Sequence, residues 1–249
     1  MARHSHWASI KHKKGVTDAR RGKLFSKLAK HIISAVRTGG GDPEMNLRLK
    51  YAIEKARQAN MPRDNIERAI KRGTGEIGGA AIEECVYGGY GPGGVAVIVE
   101  ALTDNRARTA GEIRNLFDKR GGKMADLAAV ANLFDKKSQL VIRQDACPEE
   151  ALMEAALAHG ADNVETVGET YEVSGEVAVF DSLRKGLEEQ KIPVESAELA
   201  WIPRMTIPLD RTLAEKVLAL LEDLEEHEDV KASYANLEVS EADLSAMGG

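Results

Sequence analysis

The first 75 residues carry 18 Lys and Arg against 6 Asp and Glu, in a chain of 249 residues whose formal net charge is −6. The other 174 residues therefore hold 16 basic and 34 acidic groups, and a head of +12 is joined to a remainder of −18. So basic a block cannot neutralise itself: it must face water, the acidic remainder or a polyanion. The separation points to a nucleic-acid-facing head on a soluble body. The acidic total argues against indiscriminate adhesion to nucleic acid, which leaves the head as the docking surface.

With 43% apolar and 30% charged residues, the chain has the balance of a globular protein long enough for two or three cores. Its apolar runs, such as Val95-Ala96-Val97-Ile98-Val99, are far shorter than the ~20 residues of a membrane span. The charged N-terminus lacks a following apolar stretch of secretory type, so no membrane partner and a cytoplasmic location are expected. Cys85 and Cys147 stand alone, without CxxC spacing, and support neither a disulfide framework nor a cysteine metal site.

Residues 1–16 show no helical period but hold Arg3, Lys11, Lys13 and Lys14, with His4, His6, His12 and Trp7. A cationic arm with one indole can pair with phosphates and stack on a base. The competing reading folds Trp7 and Ile10 back onto the head. The HSH spacing has no mechanism behind it as a zinc site, so no metal is expected.

Asp18 to Thr38 reads as a helix, capped by Thr17 or Asp18 and ended by Gly39-Gly40-Gly41. Leu24, Phe25, Leu28, Ile32, Ile33 and Val36 fall on one side, while Arg20, Lys23, Lys27, Lys30 and Arg37 form a cationic stripe on the other. Arg21 joins the candidate contacts. A second helix is expected from Asp42-Pro43 to about Ala59, and a third from Pro62 to Arg72, closed by Gly73. Lys50, Lys55, Arg57, Arg63, Arg68, Lys71 and Arg72 extend the positive surface.

Beyond a glycine-rich linker, Thr74 to Ala80, comes Tyr90-Gly91-Pro92-Gly93-Gly94. It lacks a Gly-Lys-Ser/Thr ending and enters a strand, so it reads as a turn or a functional loop and not a phosphate cradle. Strand Val95–Leu102, helix Asn105–Arg120 and a weak strand at Val130–Phe134 follow. The order from Gln139 to Ala200 is then β-α-β-β-α-β. Strand Arg204–Leu209, helix Leu213–Glu226 and strand Val230–Leu237 remain.

Two ferredoxin-like α+β domains are the economical interpretation, with 79–136 plus 203–240 forming one, 137–202 inserted into it, and 1–78 forming a three-helix basic domain. Joints at Lys136-Lys137 and Trp201–Pro203 are expected. The alternative is two consecutive domains. The acidic run Glu222–Asp229 reads as the solvated end of a helix, or as a segment that docks on the basic head and masks it.

Five segments carry a resemblance: HSHWASIKHKK, DARRGKLFSKL, GGGDPEMN, NMPRDNIERAIKRGTGE and YGPGGVAVIVEALTDNRARTAGEIR. In this order they resemble the YebC family of bacterial and organellar gene-expression regulators, related to mitochondrial translational activators. Departures are Arg3 for glycine, His6 for lysine, Ser9 for asparagine, and ADLAAVAN at Ala125–Asn132 in place of a glycine- and serine-bearing pattern. The resemblance implies a helical N-terminal domain with two α+β domains, nucleic-acid binding, and no catalytic set.

Neither HExxH, GxSxG nor a Walker lysine occurs, and Asp104-Asn105-Arg106 or Glu83-Glu84 alone make no mechanism. No cofactor and no small-molecule substrate are implied. The expected function is a non-enzymatic regulator that binds DNA through the head. The alternative is a ribosome-associated translation factor whose head contacts rRNA or tRNA, since phosphate contacts are common to both polymers.

Overall fold

A single buried asparagine joins the first two helices of this protein. The computed structural model describes residues 18–239, with side chains from Arg21 onward. Asn46 Nδ2 donates to Ala35 O and Gly40 O, at 2.8 and 2.7 Å, while its Oδ1 accepts from Leu49 N at 3.1 Å. One side chain thus satisfies the end of α1 (Asp18–Gly39) and the start of α2 (Leu47–Gln58). Asp42, expected as the cap, instead closes a turn by accepting from Glu44 N. The tertiary bonds of Asn46 moved the helix start.

Asn60 ends α2 with φ 58°, and Met61 N–H donates back to Ala56 O at 2.9 Å. α3 (Arg63–Thr74) runs past Gly73 to a left-handed Gly75. Gly73 stays helical because α3 packs closely on α1: a Cβ there would lie 2.6 Å from Val36 Cβ. Leu28, Ile32, Ile33 and Val36, Leu49, Ile53 and Ala56, and Ile66 and Ala69 recur at helical spacing and form one apolar cluster.

The first sheet has the order β3-β1-β2-β9, from β1 (Glu83–Tyr90), β2 (Ala96–Thr103), β3 (Lys123–Ala125) and β9 (Val230–Ala235). All eight residues of β2 are buried. α4 (Arg106–Lys119), capped by the Asn105 side chain, carries the chain from β2 to β3 across β1. The hairpin runs antiparallel from Glu83↔Thr103 to Tyr90↔Ala96, so Gly88 and Gly89 are strand residues. A Cβ on Gly89 would lie 2.6 Å from the Phe117 ring, which explains the glycine. The expected strand at Val130–Phe134 is instead helix α5 (Leu127–Ala131), which buries Val130.

The second sheet, β5-β6-β4-β7, is antiparallel and built from β4 (Phe134–Arg143), β5 (Ala161–Val167), β6 (Thr170–Gly175) and β7 (Ser196–Pro203). With α6 (Glu149–Ala158) and α7 (Phe180–Glu189) it follows the order β-α-β-β-α-β. Its core is Leu140, Ile142, Leu152, Val173, Leu183 and Leu187. Lys136, Lys137 and Trp201–Pro203, expected as joints, lie inside β4 and β7, where Lys136 pairs with Trp201 and its Nζ sits 5.3 Å from the ring.

Arg204–Leu209 contributes only β8 (Ile207–Pro208), paired with β10 (Leu237–Glu238). α8 (Arg211–Glu226) buries Val217, Leu220, Leu221 and Leu224. Within the described residues the chain forms two compact units. One takes the residues up to Leu127 with Lys216–Ser233, the other Ala128–Glu215 with the residues from Tyr234. Three helices followed by two α+β sheets is thus the architecture. No described helix is long and apolar enough to cross a membrane.

Candidate nucleic-acid interface

The cationic stripe of α1 does not all face solvent. Lys27, Lys30, Ser34 and Arg37 stand at i, i+3, i+7 and i+10 and share one helix face. Lys27 Nζ donates to Glu225 O near the C-terminus of α8, where the helix dipole favours a cation. Lys30 Nζ pairs with Asp229 and reaches Glu228 O at 3.3 Å. Ser34 Oγ donates to Glu84 Oε1 at 2.7 Å, and Arg37 reaches Ile82 O at 3.4 Å. The face expected to meet nucleic acid is the seam between the helical head and the first sheet. Both readings of the acidic run hold in part: Asp229 docks on the head, while Glu226 and Glu228 are exposed.

Asp229 anchors that seam. Its side chain is fully buried and accepts from Thr109 Oγ1 at 2.7 Å, Arg108 Nη2 at 2.7 Å and Thr103 Oγ1 at 3.3 Å, besides Lys30. Its backbone O receives Leu102 N–H at 2.7 Å, holding the start of β9 against β2. Burial alone would raise the pKa of this carboxyl; hydrogen bonds from Lys30, Thr109 and Arg108 outweigh it and hold the group well below the usual carboxylate range. Glu84 is lowered in the same way: burial opposes, and Ser34 and Arg48 prevail.

His31 lies on α1 between Lys27 and Lys30 of one turn and Ser34 of the next. Burial, followed by the charges of Lys55, Lys231 and Lys27, pushes its pKa down to about 3, so the imidazole is neutral at neutral pH. Close by, Lys231 Nζ meets the buried Glu100 carboxylate at 3.0 Å. Further along α8, Arg120 grips Asp223 with two nitrogens at 2.8 and 2.9 Å.

Glu112, His227 and Asp229 come close enough to suggest a metal cage. His227 Nδ1, however, accepts the Asp229 N–H at 3.1 Å, which leaves the proton on Nε2 for Glu112 at 2.9 Å. With the Asp229 oxygens already occupied by cations and hydroxyls, the cluster is a hydrogen-bond chain.

Of the candidate contact residues, Arg3, His4, Trp7, Lys11, Lys13 and Lys14 lie outside the described residues, as does the Arg20 side chain. Arg21 and Lys23 are exposed at the start of α1. Arg63 is exposed but paired with Glu67 at 2.7 Å. Arg72 lies under the linker, where a Cβ on Gly79 would be 2.6 Å from its Nε. Lys23, Lys50, Arg57, Arg68 and Lys71 are exposed and, among the described residues, form no ion pair. They are among the cations that α1, α2 and α3 present to water.

The Tyr90–Gly94 segment is the tight connection of the β1–β2 hairpin. Gly91 N donates to Val95 O at 2.7 Å, and Gly93 and Gly94 take φ 73° and 76°, which favours glycine. It opens no helix of useful length and makes no phosphate cradle.

Comparison with known proteins places this geometry. The family model described as "TACO1/YebC protein N-terminal domain" matches residues 5–76, and "TACO1/YebC second and third domain" matches 82–237. A probable transcriptional regulatory protein of Geobacter sulfurreducens, GSU1074, is 48% identical over 99% of this chain and all of its own length. Its counterpart in Rubrobacter xylanophilus is 49% identical over the whole of both chains. The crystal structure of a conserved hypothetical protein, Aq1575 from Aquifex aeolicus, superposes with a TM-score of 0.85 at 46% identity, covering 95% of this chain and 98% of that one. Matched from the helical head through both sheets, the chain belongs to the TACO1/YebC family.

Proposed function

We propose that this protein regulates gene expression by binding nucleic acid through its helical head, without catalysing a reaction itself. The observation that carries the reading is the charge division: +12 in residues 1–75 against −18 elsewhere, with Lys23, Lys50, Arg57, Arg68 and Lys71 open to solvent on three adjacent helices. Spaced cations on a rigid scaffold bind a phosphate backbone by displacing its counterions. Its relatives' designation as probable transcriptional regulatory proteins supports a regulatory role and favours DNA as the polymer. A cytoplasmic location belongs to the same proposal.

RNA is the second reading, favoured by the surface of α3. Its first turns carry Asp64 and an Arg63 already paired to Glu67, which is a poor start for a helix that reads base edges in a major groove. A head of this kind suits phosphate-led contact with an irregular RNA surface, as on a ribosome.

One experiment tests both. Competition between duplex DNA and structured RNA for the full-length protein is measured from low to high salt, with ribosome co-sedimentation alongside. Affinity falls with a log-log slope of about −4 if four or five cations are engaged, and Lys50→Glu, Arg57→Glu, Arg68→Glu and Lys71→Glu together abolish it. A flat salt dependence would sink the proposal, and RNA displacing DNA would select the second reading.

A further inference from the structure

The body offers α1 what a nucleic-acid strand would offer: a row of oxygen acceptors at the pitch of the helix. Glu225 O meets Lys27, Glu228 O and the Asp229 carboxylate meet Lys30, and the Glu84 carboxylate meets Ser34. Three of these acceptors belong to the acidic segment 222–229. From this correspondence we propose that the Lys27–Lys30 face of α1 is a second nucleic-acid-binding face, closed in the free protein by its own acidic segment and opened when phosphates displace it. The inference rests on the head being the nucleic-acid-binding region.

Two features make the exchange affordable. Lys30 can leave without orphaning Asp229, because Arg108, Thr109 and Thr103 still donate to that carboxylate. The loss is therefore smaller than for an isolated buried pair. Lys30 is also 17% exposed against 0% for Asp229, so solvent and phosphate approach from the lysine's side.

Part of the apolar attachment lies toward the other end of the seam, where Arg37 reaches Ile82 O. Ile82, just ahead of β1, and Leu102 of β2, whose N–H is bonded to Asp229 O, join the head's apolar cluster. In this proposal the head tilts about the Ile82 contact and lifts its Lys27–Lys30 end, and no detachment is required. Seams that combine a small apolar contact with ion pairs permit such relative motion.

The test measures affinity of the full-length protein for one 20-base-pair duplex and one RNA hairpin at fixed salt. Lys27→Gln with Lys30→Gln weakens binding by about tenfold, the loss of two phosphate contacts. Asp229→Asn, which keeps an acceptor for Arg108 and Thr109 but weakens the hold on Lys30, tightens it about threefold. Glu84→Gln acts in the same direction from the other end of the seam and decides the matter if Asp229→Asn fails to fold.

Asp118→Asn, an exposed position on α4 with the same change in net charge, serves as the reference. Equal tightening by Asp118→Asn and the seam variants, or wild-type affinity in the double lysine variant, overturns the proposal. If the unmodified protein binds neither probe, it is the reading of the head that fails, a result distinct from either.

Discussion

The core of the second sheet and the seam under α1 solve one problem, joining helices to a sheet, with opposite chemistry. Leu140, Ile142, Leu152, Leu183 and Leu187 are fully buried, and each contributes roughly 1.5–3 kcal/mol by leaving water. The seam instead buries Asp229 and Glu100 against Lys30, Arg108 and Lys231. Coulombic gain there is largely offset by desolvation, so ion pairs set orientation more than they add cohesion. An apolar core has no substitute partner in water, whereas a charged seam can exchange its partners for other ions. The contrast teaches which contact of this molecule is built to last and which can be traded.

Asp229→Ala probes the traded contact most severely. It leaves Lys30, Arg108 and two threonine hydroxyls without their acceptor, and should cost about 4 kcal/mol in urea unfolding. Leu183→Ala, in the lasting one, should cost about 3 kcal/mol from lost transfer energy and the cavity left behind. The contrast breaks if high salt weakens both regions equally, because screening acts on the seam alone.

Next in size is an acid response. His31 has its folded pKa depressed to about 3 against 6.5 in the unfolded chain, so the unfolded state binds the extra proton. Stability is complete above pH 6.5 and falls as pH drops from there toward 3, at up to about 1.4 kcal/mol per pH unit. His31→Gln flattens that slope. Asp229, also depressed, contributes stability present above its unfolded value near 4 and lost only in stronger acid, so the two steps separate in a pH titration of unfolding. The smallest effect belongs to Arg63→Ala, whose exposed i,i+4 pair with Glu67 should change stability by about 0.5 kcal/mol or less.

Much of this was legible because local rules carried it. The apolar period of α1, the glycines after it and the β-α-β-β-α-β order of the second sheet are written in adjacent residues. Elements that misled were set by distant ones. Gly73 continues a helix because Val36 leaves no room for a side chain, and Gly89 belongs to a strand because Phe117 packs on it.

The same applies to the site. Amphipathic reading found the stripe of α1 but had no means to see that Lys30 meets a residue 199 positions away. Arg108 and Thr109 stood inside a recognised segment, yet their partner did not. The one available hint was the acidic run at 222–229, whose charge matched the head but whose contact points depend on β9 lying beside β2.

That placement has a consequence for biosynthesis. The acceptor for Lys30 lies just ahead of β9 and 199 positions downstream, so a growing polypeptide exposes its basic helices long before the carboxylate that restrains them exists. A nascent chain halted short of residue 229 would carry an unrestrained cationic end, and synthesis of the acidic segment is the event that brings it under control.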